Sequence, residues 1–408
     1  MKWTVILLFI AVWWILLLMW KQNASKAFWS VPSIHNDSRF QVHWSNETDS
    51  TLDQAVSIPY PEMVGWEKNV SLYDYSRCDN QGLIDVRSWK QVLPSSLDVT
   101  LVIAGSMNRL VLLPLISQRW EGPLVFALHL LEENRTALES FLKSNKNASL
   151  CSNRVTILAL VATPTSFFHS HFPINILRNI GIRNAQTSHF LYLDTDIMIL
   201  PQTYPELKQL LSSFRNDSRT VVVFPVFFST TGTVPKGSLE TQLLAGVRSM
   251  PQNPKQLGYC ILNGNCSSRK PFLFTHNYVP RSYVHGILFG MEKPFYEYTC
   301  WRHPFQEPYL VVRRDQSMPL FDEAFVDYGM NKIVYVESLR LMGYHFVLAG
   351  RVFGYDLPHS PSVFEQQHRM NKTRATHVYA KQQLIALINQ TRGKASVLPL
   401  CEPFSMYS

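Results

Sequence analysis

From Val99 onward the chain alternates apolar runs of strand length with stretches of helical length, and this alternation restricts its fold more than any other feature. Residues 100–104 (Thr-Leu-Val-Ile-Ala) form a buried-strand pattern closed by Gly105, and a helical stretch covers 108–120. Strand patterns return at 124–130, 155–161, 189–194 and 221–227, with helical segments at 132–143 and 174–185 between them. Strands alternating with helices predict a predominantly parallel sheet with helices on both faces, and the ligand crevice of such a sheet lies at the carboxyl ends of its strands. Residues 228–310 read as irregular and rich in aromatics and prolines. Helix is expected again at 331–342 and over much of 362–390, with a strand at 345–348.

The amino-terminal part has another texture. Trp3 to Trp20 is a run of eighteen residues, apolar except for Thr4, and as a helix it is about 27 Å long. That nearly matches a hydrocarbon core of roughly 30 Å. It exceeds the apolar region of a cleavable signal peptide, about 7–15 residues, and has no clean small-x-small cleavage site. The expected organisation is a tail at 1–2, a transmembrane signal-anchor at 3–20, a polar stem at 21–95 and the main folded domain at 96–408. Ten N-x-S/T sequons, at Asn23, Asn36, Asn46, Asn69, Asn134, Asn147, Asn216, Asn265, Asn371 and Asn389, place the bulk of the chain in a secretory lumen. Six cysteines fit the same compartment and show no zinc-ligand spacing. Cys260 and Cys266 are the expected local disulfide, with the other pairings open.

A chain of 408 residues with 46% apolar and 17% charged residues can bury one large core or two modest ones. The net charge of +8 is spread thinly, its densest points being Arg313-Arg314 and Arg269-Lys270. A nucleic-acid binder concentrates its charge into a patch or stripe, so no nucleic-acid partner is expected.

The chemistry centres on His189-Phe-Leu-Tyr-Leu-Asp194-Thr-Asp196, an apolar strand running out into two carboxylates one residue apart. Two hard oxygen ligands at a strand's carboxyl end suit Mn²⁺ or Mg²⁺, which in turn can hold a diphosphate leaving group. Ser106 and Arg109 lie where the first strand meets its helix, a position suited to an anion, with a helix cap as the plainer reading. Asn175, Arg178 and Asn179 share one helix face at spacings of three and four. Tyr296, Tyr298, Trp301, Phe305 and Tyr309 form an aromatic cluster that either stacks on acceptor sugars or fills the core.

Four blocks carry a more specific signal. They are Val99–Leu110 with Trp120-Glu-Gly-Pro123; Phe172–Asn179; Glu307–Asp315 running into Phe321–Lys332; and Asp356-Leu-Pro-His359-Ser-Pro-Ser362. In this order they resemble the family 49 glycosyltransferases, meaning the second catalytic domain of LARGE-type enzymes and the related β-1,4-glucuronyltransferase. The resemblance spans about residues 98–365.

It implies an α/β protein of GT-A fold, a Rossmann-like nucleotide half joined to an acceptor half around one mixed sheet. It implies an inverting, metal-dependent transfer of a sugar, glucuronic acid in first place, from a UDP-sugar to a glycan or glycoprotein acceptor. Asp322 and Glu323 are then the candidates for the base on the acceptor hydroxyl, Asp322 preferred, with a capping Asp as the alternative. His359 is the first choice for a third metal ligand. Asp356 stands where family members tend to show histidine, and is itself a candidate ligand. Asn175, Arg178 and Asn179 would face the nucleotide. The setting implied is the Golgi membrane, single-pass type II, with a second copy or a partner transferase as possible companions. The competing class is a catalytically inactive relative that binds glycans or assists another transferase.

Overall fold

The apolar runs at 99–106, 124–131 and 155–162 are buried along almost their whole length, and in the computed structural model of the chain they form the middle of a ten-stranded sheet. The structure describes residues 63, 65–76, 82–91, 97–145, 150, 152–270, 274–302, 305–327, 329–361, 366, 374–391 and 397–401. The expected signal-anchor, Cys78, Cys151, Ser362 and the sequons at Asn23, Asn36, Asn46, Asn147 and Asn371 lie outside the described residues. Among those described, no helix is long and apolar enough to cross a membrane.

The first elements are β1 (Val70–Asp74), β2 (Gly82–Ile84), β3 (Val99–Ser106), α1 (Leu113–Arg119), β4 (Leu124–Leu131), α2 (Arg135–Ser144), β5 (Val155–Ala162), α3 (Ile174–Asn184) and β6 (His189–Asp194). Then come β7 (Ile197–Ile199), α4 (Thr203–Ser212), β8 (Thr220–Phe224), β9 (Val226–Ser229), α5 (Leu239–Ser249), α6 (Pro254–Leu262), β10 (Cys266–Ser267) and α7 (Arg281–Phe289). The last are β11 (Phe295–Glu297), β12 (Tyr309–Arg313), α8 (Asn331–Leu341), β13 (His345–Ala349), β14 (Gly354–Asp356) and α9 (Arg374–Thr391).

The large sheet runs β11-β13-β8-β12-β6-β3-β4-β5-β1-β2. Pairing is parallel through β6-β3-β4-β5 and between β8 and β13, and antiparallel at the other junctions. The sheet is therefore mixed rather than predominantly parallel. Regular alternation ends at β6, and β12 enters between β6 and β8 after a long excursion instead of a crossover helix. The excursion at 228–310, read as irregular, holds α5, α6 and α7. Ser238 caps α5 by accepting from Thr241 N–H, and Asn253 ahead of Pro254 caps α6. β1 and β2, within the stretch placed in the stem by composition, extend the sheet beyond β5.

Two breaks in strand pattern create a second sheet, β10-β9-β14-β7. The run expected at 221–227 divides at Pro225, which has no N–H to give a ladder. Its first part, β8, stays in the large sheet and its second, β9, joins the small one. The chain divides again between β6 and β7, at Asp194-Thr195-Asp196. Antiparallel pairing of β14 with β7 sets Asp356 opposite Ile197, and Leu357 N–H donates to the Asp196 carbonyl at 3.0 Å. This ladder brings the 356–359 segment to the two carboxylates from far along the chain.

Helix α3 lies on β3 and β4, and Gly181 permits the close approach, because a Cβ there would overlap Val102. Tyr192, Phe321 and Tyr335 pack together, with Phe321 stacked on Tyr335 at 3.9 Å between ring centroids. Cys260 is joined to Cys266 as expected, and Cys300 to Cys401.

Two buried histidines in the large sheet make stability depend on pH. Burial lowers the pKa of His129 and of His189 from 6.5 to about 4 in each case. Between those values the unfolded chain binds protons that the folded chain refuses. Their stabilising contribution is complete above pH 6.5 and is lost as pH falls toward 4. We predict that His129→Gln removes about 3 kcal/mol of this acid-side loss in unfolding free energy followed by denaturant titration from pH 7 to 4.

Candidate functional site

Asp194 ends β6, and three side chains from separate elements hold its carboxylate. Arg178 of α3 donates from Nη2 to Oδ1 at 2.8 Å, Tyr309 of β12 donates from Oη to Oδ2 at 2.8 Å, and Lys332 of α8 donates from Nζ to Oδ2 at 3.1 Å. Burial alone would raise this carboxyl, but the Lys332 ammonium and the Arg178 guanidinium hold it well below the usual carboxylate range. Lys332 also lies 3.9 Å from Glu307, whose carboxyl burial pushes up.

Asp196 faces a different set. His359 Nε2 lies 2.9 Å from its Oδ2, and Arg109 Nη2 lies 3.8 Å from the same oxygen. Against the effect of burial, His359 and Arg109 bring Asp196 down to about 2. His359 is in turn raised above the ordinary imidazole value, burial being outweighed by its bond to Asp196. Arg109 is buried, and among the described residues its Nη1 has no hydrogen-bond partner. Asp194, Asp196, His359 and Arg109 thus meet at the switch between the two sheets, beyond the carboxyl ends of β3 and β6, where an open α/β sheet binds its ligand.

Among the described residues no group of three His, Cys, Asp or Glu side chains is gathered as a preformed metal cage. The carboxylates of Asp194 and Asp196 and the imidazole of His359 are donor types that suit Mn²⁺ or Mg²⁺. Asp356 is differently engaged: its Oδ2 accepts from Lys270 Nζ at 2.9 Å, so it forms an ion pair beside the site.

The remaining expected residues separate into those that build the site and those apart from it. Ser106 bonds through Oγ to Asn108 Oδ1 at 2.7 Å and stays outside the Asp196 cluster. Asn175 donates to the Asp322 carbonyl at 2.7 Å. Asn179 donates to the Phe321 carbonyl at 2.8 Å and to Glu323 at 2.9 Å, and accepts from Phe321 N–H at 3.0 Å. Their amides are committed to the 321–323 segment, whereas the resemblance implied that they face the nucleotide. Arg178 bonds Asn175 Oδ1 and Asn331 Oδ1, each at 3.0 Å, besides Asp194. Glu323 is fixed by Asn179, Arg183 and Arg87, a clamp on the segment, which leaves Asp322 as the candidate base. Asp322 accepts from Ala324 N–H at Oδ1 and from Tyr379 Oη at Oδ2, both at 2.9 Å, and burial raises its carboxyl despite those two donors.

Most of the aromatic cluster serves the core: Tyr296, Trp301 and Phe305 are buried and Tyr298 donates to the Tyr278 carbonyl at 2.8 Å, whereas Tyr309, also buried, gives its hydroxyl to Asp194. Sequence reasoning missed Tyr309 and Lys332 as partners of Asp194. The available signal was a lysine directly ahead of the apolar run Ile333-Val334-Tyr335-Val336, where a cation is buried only if paired.

A family model described as glycosyl-transferase for dystroglycan matches residues 143–388. The chain is 25% identical over 282 residues to xylosyl- and glucuronyltransferase LARGE2s of Gallus gallus, covering 68% of this chain and 34% of that protein. It is 26% identical over 278 residues to xylosyl- and glucuronyltransferase LARGE1 of Homo sapiens, covering 68% of this chain and 33% of the other. The match therefore spans about a third of the length of these curated relatives. Remote likenesses among solved structures include GalNAc-T7 with UDP, GalNAc and Mn²⁺ (TM-score 0.39, 10% identity, 77% of this chain and 58% of that one) and S. aureus TarS 1–349 with UDP (TM-score 0.36, 12% identity, 72% and 71%).

Arg178→Ala strands a partly buried carboxylate between fewer cations and lowers unfolding free energy by about 3 kcal/mol, and Arg178→Lys recovers little of it for want of a fork to bridge three acceptors. Gly105→Ala places a Cβ 2.7 Å from Thr195 Cγ2, between the two carboxylates, and 3.2 Å from Phe126. Unfolding free energy followed by denaturant titration should fall by about 1–3 kcal/mol through overpacking, with the far-ultraviolet circular dichroism of the wild type retained.

Proposed function

We propose that this chain, which belongs to the glycosyltransferase family described as glycosyl-transferase for dystroglycan, moves a sugar from a UDP-sugar to a glycan acceptor with inversion. The observation that carries the reading is the meeting of Asp194, Asp196, His359 and Arg109 at the sheet switch. A parallel block with Asp194 at the end of β6 and β12 inserted antiparallel beside it supports a GT-A type of mixed sheet. Glucuronic acid is the donor sugar we favour, because the relatives above are named xylosyl- and glucuronyltransferases.

Asp194, Asp196 and His359 would hold a divalent ion, which when bound neutralises charge on the departing diphosphate. Arg109, buried and with one guanidinium nitrogen lacking a partner among the described residues, is suited to a phosphate oxygen. Asp322 takes the proton of the acceptor hydroxyl as that oxygen bonds to the anomeric carbon. The bond from that carbon to the diphosphate breaks with its electron pair on the diphosphate, and the Asp322 proton then passes to water. Lys332, Tyr309 and Arg178 keep Asp194 ionised and oriented throughout.

We further place the protein in the secretory lumen, anchored to the Golgi membrane as a type II protein. The disulfides Cys260–Cys266 and Cys300–Cys401 support an oxidising compartment, and sequon residues Asn69, Asn216, Asn265 and Asn389 are exposed.

UDP release by the purified full chain, measured over a panel of UDP-sugars with Mn²⁺, is the test. We expect one preferred donor, loss of release in EDTA, and a fall of about a hundredfold or more in Asp194→Ala and Asp196→Ala. A folded chain that binds glycans and releases no UDP from any donor supports the inactive relative instead.

A further inference from the structure

Helix α9 contributes a side chain to the candidate base that no part of the mechanism above uses. Its buried positions Thr376, Ala380 and Leu384 repeat every four residues and turn one stripe inward, and α9 packs on α8, the helix that carries Lys332. Tyr379, adjacent to that stripe, is buried, and its hydroxyl donates to Asp322 Oδ2 at 2.9 Å. The Tyr379 ring packs against Phe325 at 5.3 Å between centroids, so its position is set by packing as well as by the hydroxyl.

On the far side, the Asp322 backbone carbonyl accepts from Asn175, Asn175 accepts from Arg178, and Arg178 holds Asp194. The Asp322 carboxylate therefore stands between two fixed points: a backbone tied to the metal-site carboxylate and a side-chain oxygen tied to α9.

We propose that Tyr379 is a positioning residue for Asp322. Its hydroxyl fixes the carboxylate rotamer through Oδ2, leaving the free lone pairs of the carboxylate to accept the proton of an acceptor hydroxyl, and as a donor it favours the ionised base. The inference rests on the reading of Asp322 as the base. A role limited to packing is served by the ring alone, so the hydroxyl is the part that distinguishes the two.

The test is the pH profile of kcat/KM for sugar transfer by the full chain, comparing wild type, Tyr379→Phe, Leu384→Ala and Asp322→Asn. Tyr379→Phe keeps the ring against Phe325 and removes one donor to the ionised carboxylate. Its acid limb should move up by about one pH unit, with kcat falling and KM for the UDP-sugar little changed. Leu384→Ala loosens the same helix without touching the hydroxyl, and its limb should stay at the wild-type position. An unshifted limb in Tyr379→Phe, with Asp322→Asn inactive, overturns the positioning role and leaves the base reading standing. An equal shift in Leu384→Ala likewise reduces Tyr379 to packing. An active Asp322→Asn removes the base reading, and this inference with it.

Discussion

The Arg178–Asp194 pair is the interaction on which the rest of the site depends. Asp194 ends a strand between two sheets, and a carboxylate in that position is tolerable only with compensating charge. Arg178 supplies it from α3, and the same guanidinium reaches Asn175 and Asn331. One side chain thus joins the helix under the parallel strands, the carboxylate at their ends and the start of α8. Through Asn175 it also reaches the backbone of Asp322, so the proposed metal and base ends of the site share one hydrogen-bonded frame.

Charge explains why the two carboxylates differ. Asp194 lies among Lys332, Arg178 and Tyr309, whereas Asp196 meets the imidazole of His359 and the more distant guanidinium of Arg109. The first is held in place by the protein's own cations. The second faces an imidazole and a more distant guanidinium, the groups that the proposed cation and diphosphate would engage.

Much of the architecture was legible because it rests on local pattern. The apolar runs of β3, β4, β5 and β6 are visible in the residues, and so is the exit of β6 into two carboxylates. The mixed character of the sheet came from the resemblance and not from periodicity, because the placing of β12 beside β6 is a non-local pairing that periodicity does not encode. The short helices α5 to α7 were hidden among prolines and aromatics, although Ser238 and Asn253 were readable caps. In the site, Asp194 and Asp196 were singled out from spacing and His359 from the resemblance, and the structure sets His359 against Asp196. The roles of Asn175, Asn179 and Glu323 were not, since whether an amide or a carboxylate faces a ligand or a neighbouring loop depends on a segment almost 150 residues away. Tyr379 was out of reach for the same reason.

If the carboxylate pair and His359 hold a nucleoside diphosphate through a divalent ion, UDP binding must depend on that ion. Calorimetric titration of UDP into the full chain, with Mn²⁺ and again with EDTA, tests it most directly. Binding is expected to require Mn²⁺ and to be lost in Asp196→Ala and His359→Ala. UDP binding of equal strength in EDTA, or unchanged in both variants, would contradict it.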